Sequence, residues 1–134
     1  MLRRTYVDSS VLIAAWRGGN PVGERAMEIL DDPGRQFLVS DFLRLEVLPQ
    51  PRLHRKEDET QFMEAFLEAG EDIEATHALT QTALDLATRY GLSALDALHA
   101  AAALEARAQE LITVEKPDKP LCRVKELYVV SIAS

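Results

Sequence analysis

The feature that most constrains this chain is an alternation: short β-like runs are separated by stretches with helical periodicity. The candidate strands are Arg4 to Val7, Gln36 to Ser40, Asp72 to Glu74, Glu110 to Val114 and Leu127 to Ile132. Strands joined by helices run parallel, because each helix returns the chain to the starting edge of the sheet, and a parallel sheet needs both faces covered. The intervening segments supply that cover. One follows the first strand, breaks at Gly18-Gly19-Asn20-Pro21 and resumes from Val22 to Leu30, where Asp32-Pro33-Gly34 turns the chain. Phe42 to Leu48 is expected to be helical and to stop at Pro49 and Pro51. An acidic helix from Glu57 to Ala69 carries Phe62, Met63, Phe66 and Leu67 on one stripe, which suits either a core or a groove for a partner. Thr76 caps a helix whose apolar positions Leu79, Ala83, Leu86, Ala87 and Tyr90 step by three and four, and Gly91 ends it. Ser93 then opens an alanine-rich helix from Ala94 to Ala108.

At 134 residues and 47% hydrophobic, the chain is the size of one ordinary domain and can bury a core without disulfides or structural metal. One domain over residues 1–134 is the expectation. Its single cysteine, Cys122, fits a reducing compartment, and no apolar segment is long enough for a signal peptide or a membrane span. A cytoplasmic protein is expected. A net charge of -7 and a pI near 4.9 disfavour nucleic-acid binding by a broad basic face. That objection lapses if carboxylates cluster around divalent cations, because the local sign then reverses.

Several acids sit where such a cluster would form. Asp8 lies at the joint between the first strand and an apolar helix; it can cap that helix, and it also stands at the strand's carboxyl end, where open α/β sheets bind ligands. Glu46 lies on a short, mostly apolar helix with Phe42 and Leu43 one turn behind it, and it needs a partner such as Arg44 or a cation. Asp96 falls in the first turn of the alanine-rich helix, where the helix dipole favours negative charge, although Ser93 already supplies the cap. His99, one turn later, is placed to orient Asp96. The run ending Thr113-Val114-Glu115 delivers another acid to a strand terminus, with Asp118 three residues on in a proline-bounded loop. A parallel sheet would bring these positions to one edge. Carboxylates so gathered repel unless cations bind, and hard oxygen ligands without Cys or His pairs favour Mg²⁺ or Mn²⁺. Such ions suit phosphodiester hydrolysis, by activating water and stabilising the leaving oxygen.

At these residues the chain resembles the PIN-domain ribonucleases, most closely the VapC-like toxins of toxin–antitoxin pairs. The resemblance runs through "YVDSSVLIA", "FLRLEVL", "GLSALDALHAAAA" and "LITVE", and so covers nearly the whole chain. It implies a three-layer α/β/α sandwich with a mainly parallel sheet, an RNA substrate, commonly a homodimer, and an antitoxin whose tail covers the active site. It implies metal-binding roles for Asp8, Glu46 and Asp96, with Ser10 supporting the first Asp and Thr113 preceding the fourth acid. That fourth acid departs from the family, which usually has Asp where this chain has Glu115; Glu115 can reach a metal directly or through water, and Asp118 is the alternative. RNA would be guided by Arg52, His54, Arg55 and Lys56, or by Lys116 and Lys119, unless these runs are simply solvated surface. A second reading is a weak or inactive PIN domain acting as an RNA- or protein-binding module. A receiver-type phosphoryl-transfer pocket is disfavoured, because "VDSS" lacks a second nearby acid.

Overall fold

The computed structural model describes residues 1–134. Its elements are β1 (Arg3–Val7), α1 (Ser9–Arg17), α2 (Pro21–Leu30), β2 (Arg35–Ser40), α3 (Asp41–Val47), α4 (Pro49–Leu53), α5 (Glu57–Ala69), β3 (Glu71–Ile73), α6 (His77–Tyr90), α7 (Ala94–Glu105), β4 (Glu110–Thr113), a 3₁₀ turn (Pro120–Arg123) and β5 (Val129–Ser131). The five strands form one parallel sheet in the order β3-β2-β1-β4-β5. Helices cover it in a three-layer α/β/α arrangement, as the alternation requires. Thr5, Tyr6 and Val7 of β1 and all four residues of β4 are buried, so both faces of the central strands are sealed from water. Tyr6 stands opposite Leu38 on one side and Leu111 on the other.

Strand order decides where a site can form. From β1 the chain first builds outward through β2 and β3, then crosses back to place β4 and β5 on the other side. The carboxyl ends of β1 and β4 therefore flank the point where the winding reverses, and the connections there diverge and leave a crevice.

Local chemistry accounts for most boundaries. Asp8, Asn20, Ser40, Thr76 and Ser93 each cap a helix with a side-chain oxygen that accepts a backbone N–H. Helices α1 and α2 pack closely because Gly23 has no side chain: a Cβ there would lie 2.9 Å from the Ala14 carbonyl oxygen. Helix α7 is apolar nearly all round, with Ala97, Ala100, Ala101, Ala102 and Ala103 buried beside His99, the mark of an interior helix.

Several ends shift by a single residue, β3 among them at Glu71–Ile73 rather than Asp72–Glu74, and three boundaries differ more. Pro49 does not end the helical path but opens α4, because a proline at the first helical position loses no bond it would have made. Helix α7 stops at Glu105, short of Ala108: Arg107 turns to φ 54° and the Ala108 N–H reaches back to the Ala103 carbonyl. The last strand is confined to Val129–Ser131, since Leu127 donates instead to Val124 in the turn before it. The stripe on α5 divides between its two expected uses. Met63 and Leu67 are core, whereas Phe62 and Phe66 are half-buried against Trp16 and Phe37. No helix is long and apolar enough to cross a membrane.

Candidate active site

Asp8 is the fixed point of the crevice. As the first residue past β1 it takes extended backbone, φ -79° and ψ 174°, and caps α1; its side chain is turned inward, leaving the residue only 5% exposed. Oδ1 accepts the Ser10 N–H at 3.1 Å and the Ser10 hydroxyl, and Oδ2 accepts the Thr113 hydroxyl at 2.6 Å. Both hydroxyls are used twice. Ser10 Oγ accepts the Val114 N–H at 3.0 Å, and Thr113 Oγ1 accepts the Glu115 N–H at 3.0 Å. The carboxylate therefore ties the start of α1 to the segment leaving β4, and the same bonds aim Glu115 into the crevice.

Asp96 enters from the first turn of α7, half-buried, with its N–H on Ser93 Oγ at 3.3 Å. The three acids share one electric field. Burial pushes the Asp8 carboxyl above its ordinary value against the Ser10 and Thr113 hydrogen bonds, and Asp96 adds to the rise. Burial likewise raises Glu115, with further repulsion from Asp96 and Asp8, partly relieved by Lys119. These are the responses of carboxylates gathered with too little counter-charge, Lys119 and His99 offsetting only part of the rise. Asp118 is exposed and its carbonyl accepts from Arg123 at 2.7 Å; its charge joins those of Glu115, Asp8 and Asp96 in adding to the rise that burial gives the Cys122 thiol.

Glu46 is held differently. Its carboxylate meets Nε2 of His99, a residue 1% exposed, and this bond lowers the Glu46 carboxyl below its ordinary value despite partial burial. His99 thus supports Glu46 rather than Asp96, because one turn along α7 turns its ring toward α3. Arg44, the other partner open to Glu46, is engaged with Asp41 and Asp72. Behind His99 stand two residues the sequence did not single out. Tyr6 OH lies 2.6 Å from His99 Nδ1 and 2.8 Å from Ser40 Oγ. Tyr6 is fully buried and stays a phenol, its pKa raised by desolvation. The chain Ser40–Tyr6–His99–Glu46 is satisfied for neutral His99 when the hydroxyls donate toward Nδ1, and for the imidazolium when they reverse. One signal was legible: Tyr6 shares a strand face with Asp8 by period-two alternation.

The donor set is hard oxygen throughout, and its charge is unbalanced within the crevice, which fits a divalent cation. No three acid, His or Cys side chains already stand close enough together to hold one, since Asp8 is engaged by hydroxyls and Glu46 by His99. Lys116 and Lys119 lie beyond Glu115, while Arg52, His54, Arg55 and Lys56 lie on and after α4; all are exposed, and Arg52 pairs loosely with Glu64 at 3.8 Å.

Comparison with known proteins agrees with this architecture. The PIN domain family model matches residues 5–126. A toxin–antitoxin complex from Klebsiella pneumoniae contains a chain 24% identical, with a TM-score of 0.73 over 95% of this chain and 96% of that one. VapBC2 from Rickettsia felis, bound to a fragment of promoter DNA, matches at 16% identity and TM-score 0.72, over 96% and 98% of the two chains. DNA-bound VapBC from Salmonella typhimurium matches at 15% identity and TM-score 0.69, over 98% of each. At these identities the likeness establishes the fold. No curated protein sequence matches significantly.

Proposed function

The chain belongs to the PIN-domain family, and from that premise we propose that it is a metal-dependent endoribonuclease and the toxin of a toxin–antitoxin pair. The observation that carries the reading is the shared field of Asp8, Asp96 and Glu115, three acids from distant parts of the chain at the reversal point of a parallel sheet. Asp8, Glu46, Asp96 and Glu115 would hold one or two Mg²⁺ or Mn²⁺ ions. When bound, the ions supply Lewis acidity for the attacking water and positive charge for the departing oxygen. The chain's own residues set the geometry. Ser10 and Thr113 fix both oxygens of Asp8, Ser93 fixes the turn that presents Asp96, and His99 holds Glu46 against rotation. Glu115 takes the place of the family's usual aspartate and is favoured over Asp118 because it shares the field of Asp8 and Asp96.

An antitoxin partner is supported by the toxin–antitoxin complexes among the similar structures. A homodimer in the cytoplasm remains part of the same proposal. A second reading, a binding module without activity, is favoured by one observation, that no three donors stand at ligand distance. The deciding experiment is cleavage of a panel of structured and single-stranded RNAs in Mn²⁺ or Mg²⁺ against EDTA, with wild type and Asp96→Asn in parallel. Cutting that requires metal and disappears in the variant is expected. Equal silence from two folded proteins would transfer the case to the binding module.

A further inference from the structure

Beside Glu46 the surface opens into a recess of about 370 Å³ that shares Glu46 with the acid crevice. Its walls come from α1, α3, α4 and the start of α5. Ile13, Trp16, Val47 and Met63 make the apolar part, and the exposed Arg17 and Lys56 also line it. Its volume is at the lower end of the range for small-ligand sites, roughly 300–1,000 Å³, which suits one nucleotide-sized group. Trp16 is 38% exposed although it is the largest side chain on α1; Phe62 supports it from behind, with ring centroids 5.5 Å apart at 45°. A backed, half-open indole is a stacking platform.

The charges sort in the same sense. Most arginines of this chain are engaged by carboxylates or carbonyls, but Arg17 and Lys56 form no ion pair and no side-chain hydrogen bond. The carboxylates of Glu46 and Glu59 line the recess and would repel a bare phosphate or a fatty acid, yet Glu59, which Glu46's bond to His99 leaves as the free carboxylate, can accept from the N–H groups of a base. Exposed cations and half-buried carboxylates beside an indole match a nucleotide, phosphate outward and base inward. The recess is also continuous with the candidate site. Glu46 is common to both, and α1 runs from Asp8 to Trp16, a rise of roughly 12 Å.

We propose that this recess seats an unpaired base of the RNA strand one or two nucleotides from the scissile phosphate, stacked on Trp16, with Arg17 and Lys56 on the flanking phosphates. The inference rests on the ribonuclease reading, and it makes single-stranded or looped RNA the substrate form, since a base inside a helix cannot be splayed onto an indole.

The test uses the chain's single tryptophan as its own probe. Trp16 emission is followed while full-length Asp96→Asn, in Mg²⁺, is titrated with single-stranded RNA hexamers of each base and with an abasic ribose-phosphate hexamer; anisotropy reports binding, and wild-type cleavage is measured alongside. Base-bearing hexamers are expected to quench Trp16 saturably and the abasic one to leave it unchanged. Trp16→Ala in the otherwise wild-type chain should raise KM about tenfold or more, with a smaller effect on kcat. Should Trp16→Ala fail to fold, the exposed pair Arg17→Ala with Lys56→Ala still decides, by reducing the salt slope of binding by about 1.4. Cleavage without quenching overturns the recess and leaves the ribonuclease standing. Quenching without cleavage in any metal upholds the recess as a seat for an RNA base and overturns the ribonuclease, and with it the place of that seat beside a scissile phosphate. If RNA neither binds nor is cut, both fall.

Discussion

Thr113 shows how much the site asks of single residues. It has no exposed surface, and its hydroxyl both donates to Asp8 and accepts from the Glu115 N–H. Thr113→Val keeps the shape and removes both bonds, so it should cost about 1–3 kcal/mol in urea unfolding, the range for stranding buried polar partners. An unchanged midpoint would mean that Asp8 does not depend on this hydroxyl. Asp96 makes the opposite case. Asp8 and Glu115 have folded pKa values raised above their ordinary values of 3.8 and 4.5, so in metal-free protein the native state holds protons that the unfolded state has already lost. Stability therefore falls as pH rises from about the ordinary carboxylate values through the raised ones, and it stays lower at neutral pH. Because Asp96 contributes to both shifts, Asp96→Asn in EDTA should be more stable than wild type at pH 7, with the difference closing below pH 4. Melting curves from pH 4 to 7.5 test this, and parallel curves for the two proteins would show that the acids do not share a field.

Elements are placed by close approach as much as by hydrophobic periodicity. Gly70 joins α5 to β3, and a Cβ there would lie 2.4 Å from Val39 Cγ1, a side chain at the buried end of β2, and 3.3 Å from the Phe37 carbonyl. Its φ is -82°, so the requirement is space rather than a left-handed turn. Gly70→Ala should cost about 1–3 kcal/mol by forcing α5 or β2 aside, measured by denaturant unfolding. No loss would show that Val39 can change rotamer freely. The same logic explains α7, whose buried alanines let a helix carrying His99 sit in the interior beside α6. A helix made of larger residues could not bring His99 to Glu46.

At the scale of the molecule, a chain of charge -7 is proposed to act on a polyanion, and the sign problem is resolved locally. In the proposed function divalent cations would offset the crevice acids, and Arg17, Lys56, Lys116 and Lys119 form no ion pair within the chain. Cations that bind only the native state should raise its stability by about 2.7 kcal/mol at one hundred times their Kd. Mn²⁺ added to metal-free wild type should thus raise Tm by roughly 5–10 °C, and the rise should be largely absent in Asp96→Asn. A rise of equal size in both proteins would place the metal elsewhere.

What the sequence determined by itself was whatever depends on neighbours along the chain. The bounds of α5, the caps at Asp8, Thr76 and Ser93, and the alternation that makes the sheet parallel all follow from residues within a few positions of one another. So does the placing of Asp8 at a strand end. Partnerships across the sheet were not legible, because periodicity says which face a residue takes and not which strand lies beside it. Asp8 meets Thr113 over 105 positions and His99 meets Glu46 over 53, and both pairings exist only because β4 returns to the side of β1 opposite β2 and α7 packs on α3. The recess at Trp16 belongs to the same class: its walls come from four helices, and only their packing makes an indole, two cations and Glu46 neighbours.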